Sequence, residues 1–107
     1  MKDDFKVILA ELRHKEGHDL VNEFERILRA RIPQDINDLS SAASQNDLES
    51  LGKKAHFLST TLITLKFTQG VELTDSLEKS AKACELQQSL LLTNELIQYL
   101  QRMINAI

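Results

Sequence analysis

Three histidines and one cysteine are the side chains of this sequence best suited to act as nucleophiles or metal ligands near neutral pH. His14 and His18 stand four apart, a spacing that holds a metal when both lie on one helix. Here Gly17 falls between them, and the stretch Arg13-His14-Lys15-Glu16-Gly17-His18 reads as a helix end and a loop. Its glutamate is two residues after the first histidine instead of one, so this is not the zinc-protease pattern. Too few further ligands are near to complete a zinc site, and no metal is expected. Cys84 reads as a small core residue close to a helix end. A single cysteine forms neither an intrachain disulfide nor a cysteine zinc site, which makes a reduced, cytoplasmic setting the expectation. The hydroxyl residues around position 60 offer no Ser-His-acid arrangement within one helical turn. No glycine-rich phosphate loop is present, so the chain is not expected to bind ATP.

His56 is different because of where its helix must point it. Leu48, Leu51, Ala55, Leu58, Leu62 and Leu65 recur at helical spacing and mark the buried stripe of a helix over about residues 47–66. At about 100° per residue, His56 points about 130° away from the centre of that stripe. It is expected in water, in mid-helix. Gly52, Lys53, Ser59, Thr60, Ile63 and Phe67 share its face, with Glu49 at the edge. Gly52, Ser59 and Thr60 are small or hydroxylic, while Ile63 and Phe67 are apolar on a face that should be wet. A solvated surface histidine fits this pattern. So does an accessible nucleophile, because an ordinary imidazole is largely neutral at pH 7 and has a free ring lone pair.

The elements that would position His56 are helical throughout. A first helix carries Phe5, Ile8, Leu9 and Leu12 and stops at Gly17. A second starts near Asp19, a good N-cap, and carries Leu20, Phe24, Ile27, Leu28, Ile32, Ile36, Leu39 and Ala43. Pro33 lies inside it and predicts a kink or two abutting helices. Residues 44–47 read as a loop, with Asn46 and Glu49 as a capping box. After the histidine helix, a turn over 67–70 leads to a fourth helix over about 69–84, with Leu73, Leu77, Ala81 and Cys84 inward. A fifth covers about 88–105, with Leu92, Leu96, Leu100, Met103 and Ile107 near one face. Short loops imply antiparallel neighbours. The expected fold is therefore all-α: one domain over residues 1–107, an antiparallel four-helix bundle with a short additional N-terminal helix.

Composition narrows the function classes. Three Gly and one Pro in 107 residues supply too few turns for an all-β fold. Sixteen acidic against 13 basic residues, a net charge of −3, argue against nucleic-acid binding. No apolar run approaches the length of a membrane span, and the polar start lacks a signal peptide's apolar stretch.

Ala55-His56-Phe57-Leu58 resembles the start of the signature of the histidine phosphotransfer (HPt) domain family, usually alanine–histidine–any–leucine–lysine–glycine. The resemblance extends to a leucine nine residues after the histidine, Leu65, and to Leu73, Leu77 and Glu78 in the following helix. Upstream it includes Asp19-Leu20-Val21-Asn22-Glu23-Phe24, an acidic helix start with an inward phenylalanine. The sequence departs from the family where Ser59 replaces the usual lysine, Thr60 the glycine after it, and Lys66 a later glycine. The resemblance implies a carrier in a two-component phosphorelay. Its histidine, His56, would take a phosphoryl group from a receiver-domain aspartate or a kinase and pass it to another receiver aspartate. Lys53, Ser59 and Thr60 would surround it, and Gly52, Ile63 and Phe67 would form the docking surface. Lys53 would supply the missing cation. No cofactor is expected, since the Mg²⁺ belongs to the receiver. The partners implied are receiver domains of response regulators or hybrid kinases, and the chain is expected to be a monomer. A phosphotransfer-inactive helical adaptor that binds receivers or kinases is the other reading the resemblance leaves open.

Overall fold

The computed structural model describes residues 2–107; Met1, which the single-domain reading includes, lies outside them. Five helices follow in order: α1 (Phe5–Glu16), α2 (His18–Ser44), α3 (Leu48–Thr64), α4 (Thr68–Lys82) and α5 (Leu86–Ala106). Helices α2 to α5 pack in a ring, each against its two neighbours, and α1 lies across α2 and α5. This is the expected four-helix bundle with its extra N-terminal helix. All five helices contribute to one apolar core, from Phe5 and Leu9 through Leu28, Leu39, Leu58 and Leu62 to Leu77, Leu96 and Met103.

Three of the four connections are the same turn built without glycine. Each of α2, α3 and α4 ends in one residue of positive φ: Asn46 (53°), Lys66 (61°) and Cys84 (57°). The next residue's N–H returns to a carbonyl five positions back, Asp47 to Ala42 (2.8 Å), Phe67 to Leu62 (3.0 Å) and Glu85 to Ser80 (2.9 Å). These are Schellman motifs, and the residue that closes each one also caps the next helix. Such tight reversals make consecutive helices antiparallel. They also correct three expectations. Asn46 is not the cap of α3: Asp47 is, accepting from the Ser50 N–H (3.1 Å). Cys84 is exposed, because the left-handed turn lifts it off the inward stripe of α4. Phe67 is fully buried, edge-on to Phe5 at 5.3 Å, because α3 has already ended and the chain reverses inward.

Helix α2 runs unbroken through Pro33, so the two abutting helices do not form. Pro33 and Arg29, whose carbonyl loses its donor, both lie on the exposed side, where water can serve that carbonyl. Its inward phase is set by Leu28, Ile32 and Leu39. One heptad before Leu28 is Val21, fully buried, which leaves Leu20 exposed.

The N-terminal arm holds α4 from outside. Asp3 Oδ2 accepts from the Gln69 N–H (3.0 Å), the Gly70 N–H (3.3 Å) and the Tyr99 hydroxyl (2.6 Å). Helix α4 has no side-chain cap of its own, and the carboxylate meets its open first turn. Burial, reinforced by Asp3, pushes the Tyr99 phenol well above its ordinary pKa. Gly70 lies within α4, not in the expected turn, and a Cβ there would come within 2.8 Å of the Tyr99 ring.

Candidate functional site

Helices α3 and α4 make the most extensive contact in the bundle. Along one stretch of it only small residues intervene. A Cβ on Gly52 would stand 3.4 Å from the Ala81 Cβ, so the two backbones come close there. The open side of this seam is a shallow depression of about 450 Å³ with Leu48, Gly52 and Ala81 as apolar lining. Glu49, Lys53, His56, Glu78 and Lys82 complete its wall.

His56 stands in mid-helix with its side chain 76% exposed, as its angle from the core stripe predicts. Its Nδ1 lies 3.0 Å from Glu78 Oε2 on α4. A carboxylate only accepts, so the tautomer that suits this contact carries the proton on Nδ1. In the neutral ring this leaves Nε2 as the nitrogen with a free lone pair, turned away from Glu78. The same Glu78 oxygen is 3.4 Å from Lys82 Nζ, one turn further along α4. Lys53 Nζ is 3.0 Å from Glu49 Oε1 on its own helix, with both side chains well exposed. The hydrogen bond and charge of Glu49 hold the Lys53 ammonium above its ordinary pKa.

The predicted site residues divide. Gly52, Lys53 and His56 come together at the depression. Thr60 is exposed one turn beyond His56, and its hydroxyl donates to the His56 carbonyl (3.2 Å). Ile63 is 58% exposed, two turns along. Ser59 does not join the open side. It lies at the edge of the buried stripe, α4 covers that edge, and its hydroxyl faces Asp75 Oδ1 at 3.4 Å. Phe67 belongs to the core and is no part of a docking surface.

The two charged residues that α4 brings to the depression, Glu78 and Lys82, carry no site role in the sequence alone. Their spacing places both on one face of α4, and Leu77 and Ala81 beside them mark the buried edge. Nothing in the spacing shows that this face meets His56. The packing of α4 on α3 decides that.

On the other flank of α3, Lys54 Nζ lies 3.1 Å from Asp35 Oδ1 and 2.9 Å from Asp38 Oδ2 of α2. Phe57, 45% exposed, sits beneath the Arg31 guanidinium at 4.4 Å.

No curated protein and no solved structure matches the chain. A family model, that of the Hpt domain, matches residues 23–107, which take in α3, α4, α5 and most of α2 and leave out α1. With four-fifths of its length inside that match, and a helical bundle beneath it, the chain belongs to the Hpt domain family.

Proposed function

We propose that this chain carries phosphoryl groups in a two-component phosphorelay and that His56 is the acceptor. The observation that supports this best is the geometry of the ring. It is exposed in mid-helix, its Nδ1 lies 3.0 Å from Glu78, and it borders an apolar depression. A nucleophile needs a free lone pair and room for the electrophile to approach, and this ring has both.

In this reading Nε2 attacks the phosphorus of an aspartyl phosphate on a receiver domain. The N–P bond forms and the P–O bond to the aspartate breaks, with its electron pair leaving on the carboxylate. The ring keeps its proton on Nδ1 and takes on positive charge, which the Glu78 carboxylate faces. The reverse sequence delivers the phosphoryl group to another receiver. The Mg²⁺ for both directions belongs to the receiver, and this chain needs neither ATP nor a cofactor. Gly52 and Leu48 leave a shallow apolar floor for the incoming domain, and Ile63 extends the contact surface.

Incubation with a phosphorylated receiver tests the reading. The chain should acquire label on histidine that is acid-labile and base-stable. His56→Gln should accept none, while melting within about ±0.5 kcal/mol of the parent, as an exposed substitution does. Full labelling of the variant would remove His56 from the mechanism. Receiver binding with no labelling of the parent would leave the inactive adaptor.

A further inference from the structure

The family's usual lysine after the histidine is absent, and Ser59 in its place is turned into the α3–α4 seam. Resting on the phosphocarrier reading, we propose that Lys82 of α4 supplies the cation for the phosphoryl group on His56, with Glu78 holding ring and ammonium in one cluster.

The geometry gives the reason. Glu78 Oε2 is 3.0 Å from His56 Nδ1 and 3.4 Å from Lys82 Nζ. Both groups converge on one oxygen, so the ammonium lies within two hydrogen-bond lengths of the imidazole. Lys82 is 75% exposed, and its long stem leaves the ammonium free to swing across the depression. Lys53 also borders the depression, but its ammonium is engaged by Glu49, an interaction that does not involve the ring.

Charge changes during transfer favour an exchange of partners. Before transfer, one carboxylate serves a neutral ring and an ammonium. Transfer brings a phosphoryl group of about two negative charges to Nε2 and leaves positive charge on the ring. The ring then competes for Glu78, and Lys82 is drawn to the phosphoryl oxygens, where its hydrogen bonds are charge-assisted. Lys82 touches the transferred group in this arrangement, while Glu78 acts through the ring as a positioning residue. An exposed pair of this kind changes an equilibrium or rate by at most about fivefold, so Lys82 tunes the lifetime of the phosphohistidine and is not essential for forming it.

Phosphoramidate, a small phosphoryl donor, labels histidine without any receiver and makes the test independent of the partner. After the donor is removed, hydrolysis of the phosphohistidine is followed by ³¹P NMR in the full chain. Lys82→Ala should hydrolyse several-fold faster than the parent at low salt, and the two rates should converge as salt screens the pair. Lys82→Arg should restore the parental rate, and Lys53→Ala should change it less than Lys82→Ala does. Lys79→Ala, which removes the same charge from α4 away from the depression, should match the parent. Equal rates for the parent and Lys82→Ala would overturn the role of Lys82 and leave His56 as acceptor. A larger effect from Lys53→Ala would overturn it in favour of Lys53. Failure to label His56 in the parent would overturn both the role and the reading beneath it.

Discussion

Helix α3 presents a nitrogen-bearing side chain on each flank, and each meets carboxylate oxygen from a neighbouring helix. Towards α2, Lys54 lies between Asp35 and Asp38; towards α4, His56 shares Glu78 with Lys82. The chemical ingredients are alike, but the burial differs. Asp35 is only 4% exposed, and Lys54 is largely covered. His56 and Lys82 are three-quarters exposed. A desolvated pair is committed to its partners, because separating them strands a charge away from water. An exposed pair gains little from its contact and is free to exchange partners. The first cluster therefore fastens α2 to α3, and the second is suited to chemistry.

Breaking the buried cluster should have the larger effect on stability. Lys54→Ala leaves Asp35 without its cation and should cost about 3 kcal/mol, the lower end for breaking a buried pair. Chemical denaturation at pH 7 measures this. The loss should be constant through the neutral range. Burial alone would lower the Lys54 pKa, but its hydrogen bonds to Asp38 and Asp35 outweigh that and hold it above the ordinary lysine value. The stabilisation is thus complete below the unfolded lysine pKa, about 10.4, and disappears only as pH rises through the higher folded value. On the acid side, the Lys54 hydrogen bond holds Asp38 below the ordinary aspartate value. That contribution is present above the unfolded aspartate pKa and lost as pH falls through the folded one. A Lys54→Ala penalty below about 0.5 kcal/mol would erase the contrast between the two flanks.

On the open flank the signs reverse. Glu78→Ala should leave the melting temperature almost unchanged and slow phosphoryl acceptance by up to about fivefold, the ceiling for an exposed pair. Glu78→Gln, which presents an amide oxygen to the Nδ1–H, should recover part of the rate. A large stability loss with an unchanged transfer rate would make Glu78 a fastener like Asp35.

The smallest effect is expected at the turn that follows α3. Lys66 sits at a φ of 61°, which disfavours a side chain by about 1–2 kcal/mol. Glycine relieves that strain but gains freedom in the unfolded chain. Lys66→Gly should therefore stabilise by about 0.5–1 kcal/mol, readable as a raised melting temperature, without altering transfer.

Helix periodicity made most of the bundle legible. The stripe Leu51, Ala55, Leu58, Leu62 is buried as the spacing predicts, and the angle between that stripe and His56 correctly placed the imidazole in water. The readings that changed lie where the helical angle stops applying or where a neighbour covers an edge. Helical spacing does not apply to Phe67, because α3 has already ended at Thr64. Nor does it apply to Cys84, which occupies the left-handed turn after α4. Ser59 lies at the margin of the stripe, and only the closeness of α4 buries it. The family match begins at residue 23, so it takes in the histidine helix and both helices that flank it.

Local sequence is sufficient to decide which face of a helix is wet, because side-chain direction repeats every 3.6 residues whatever lies opposite. It therefore determined the all-helical fold, the buried stripes and the exposure of His56. Partners across a seam are another matter, because they depend on how far one helix slides and turns against the next. Only the tertiary structure brought Glu78 and Lys82 to His56, tied Asp3 to the start of α4 and turned Phe67 into the core. In each case the deciding contact joins residues far apart in the chain, and its geometry follows from the packing of whole helices.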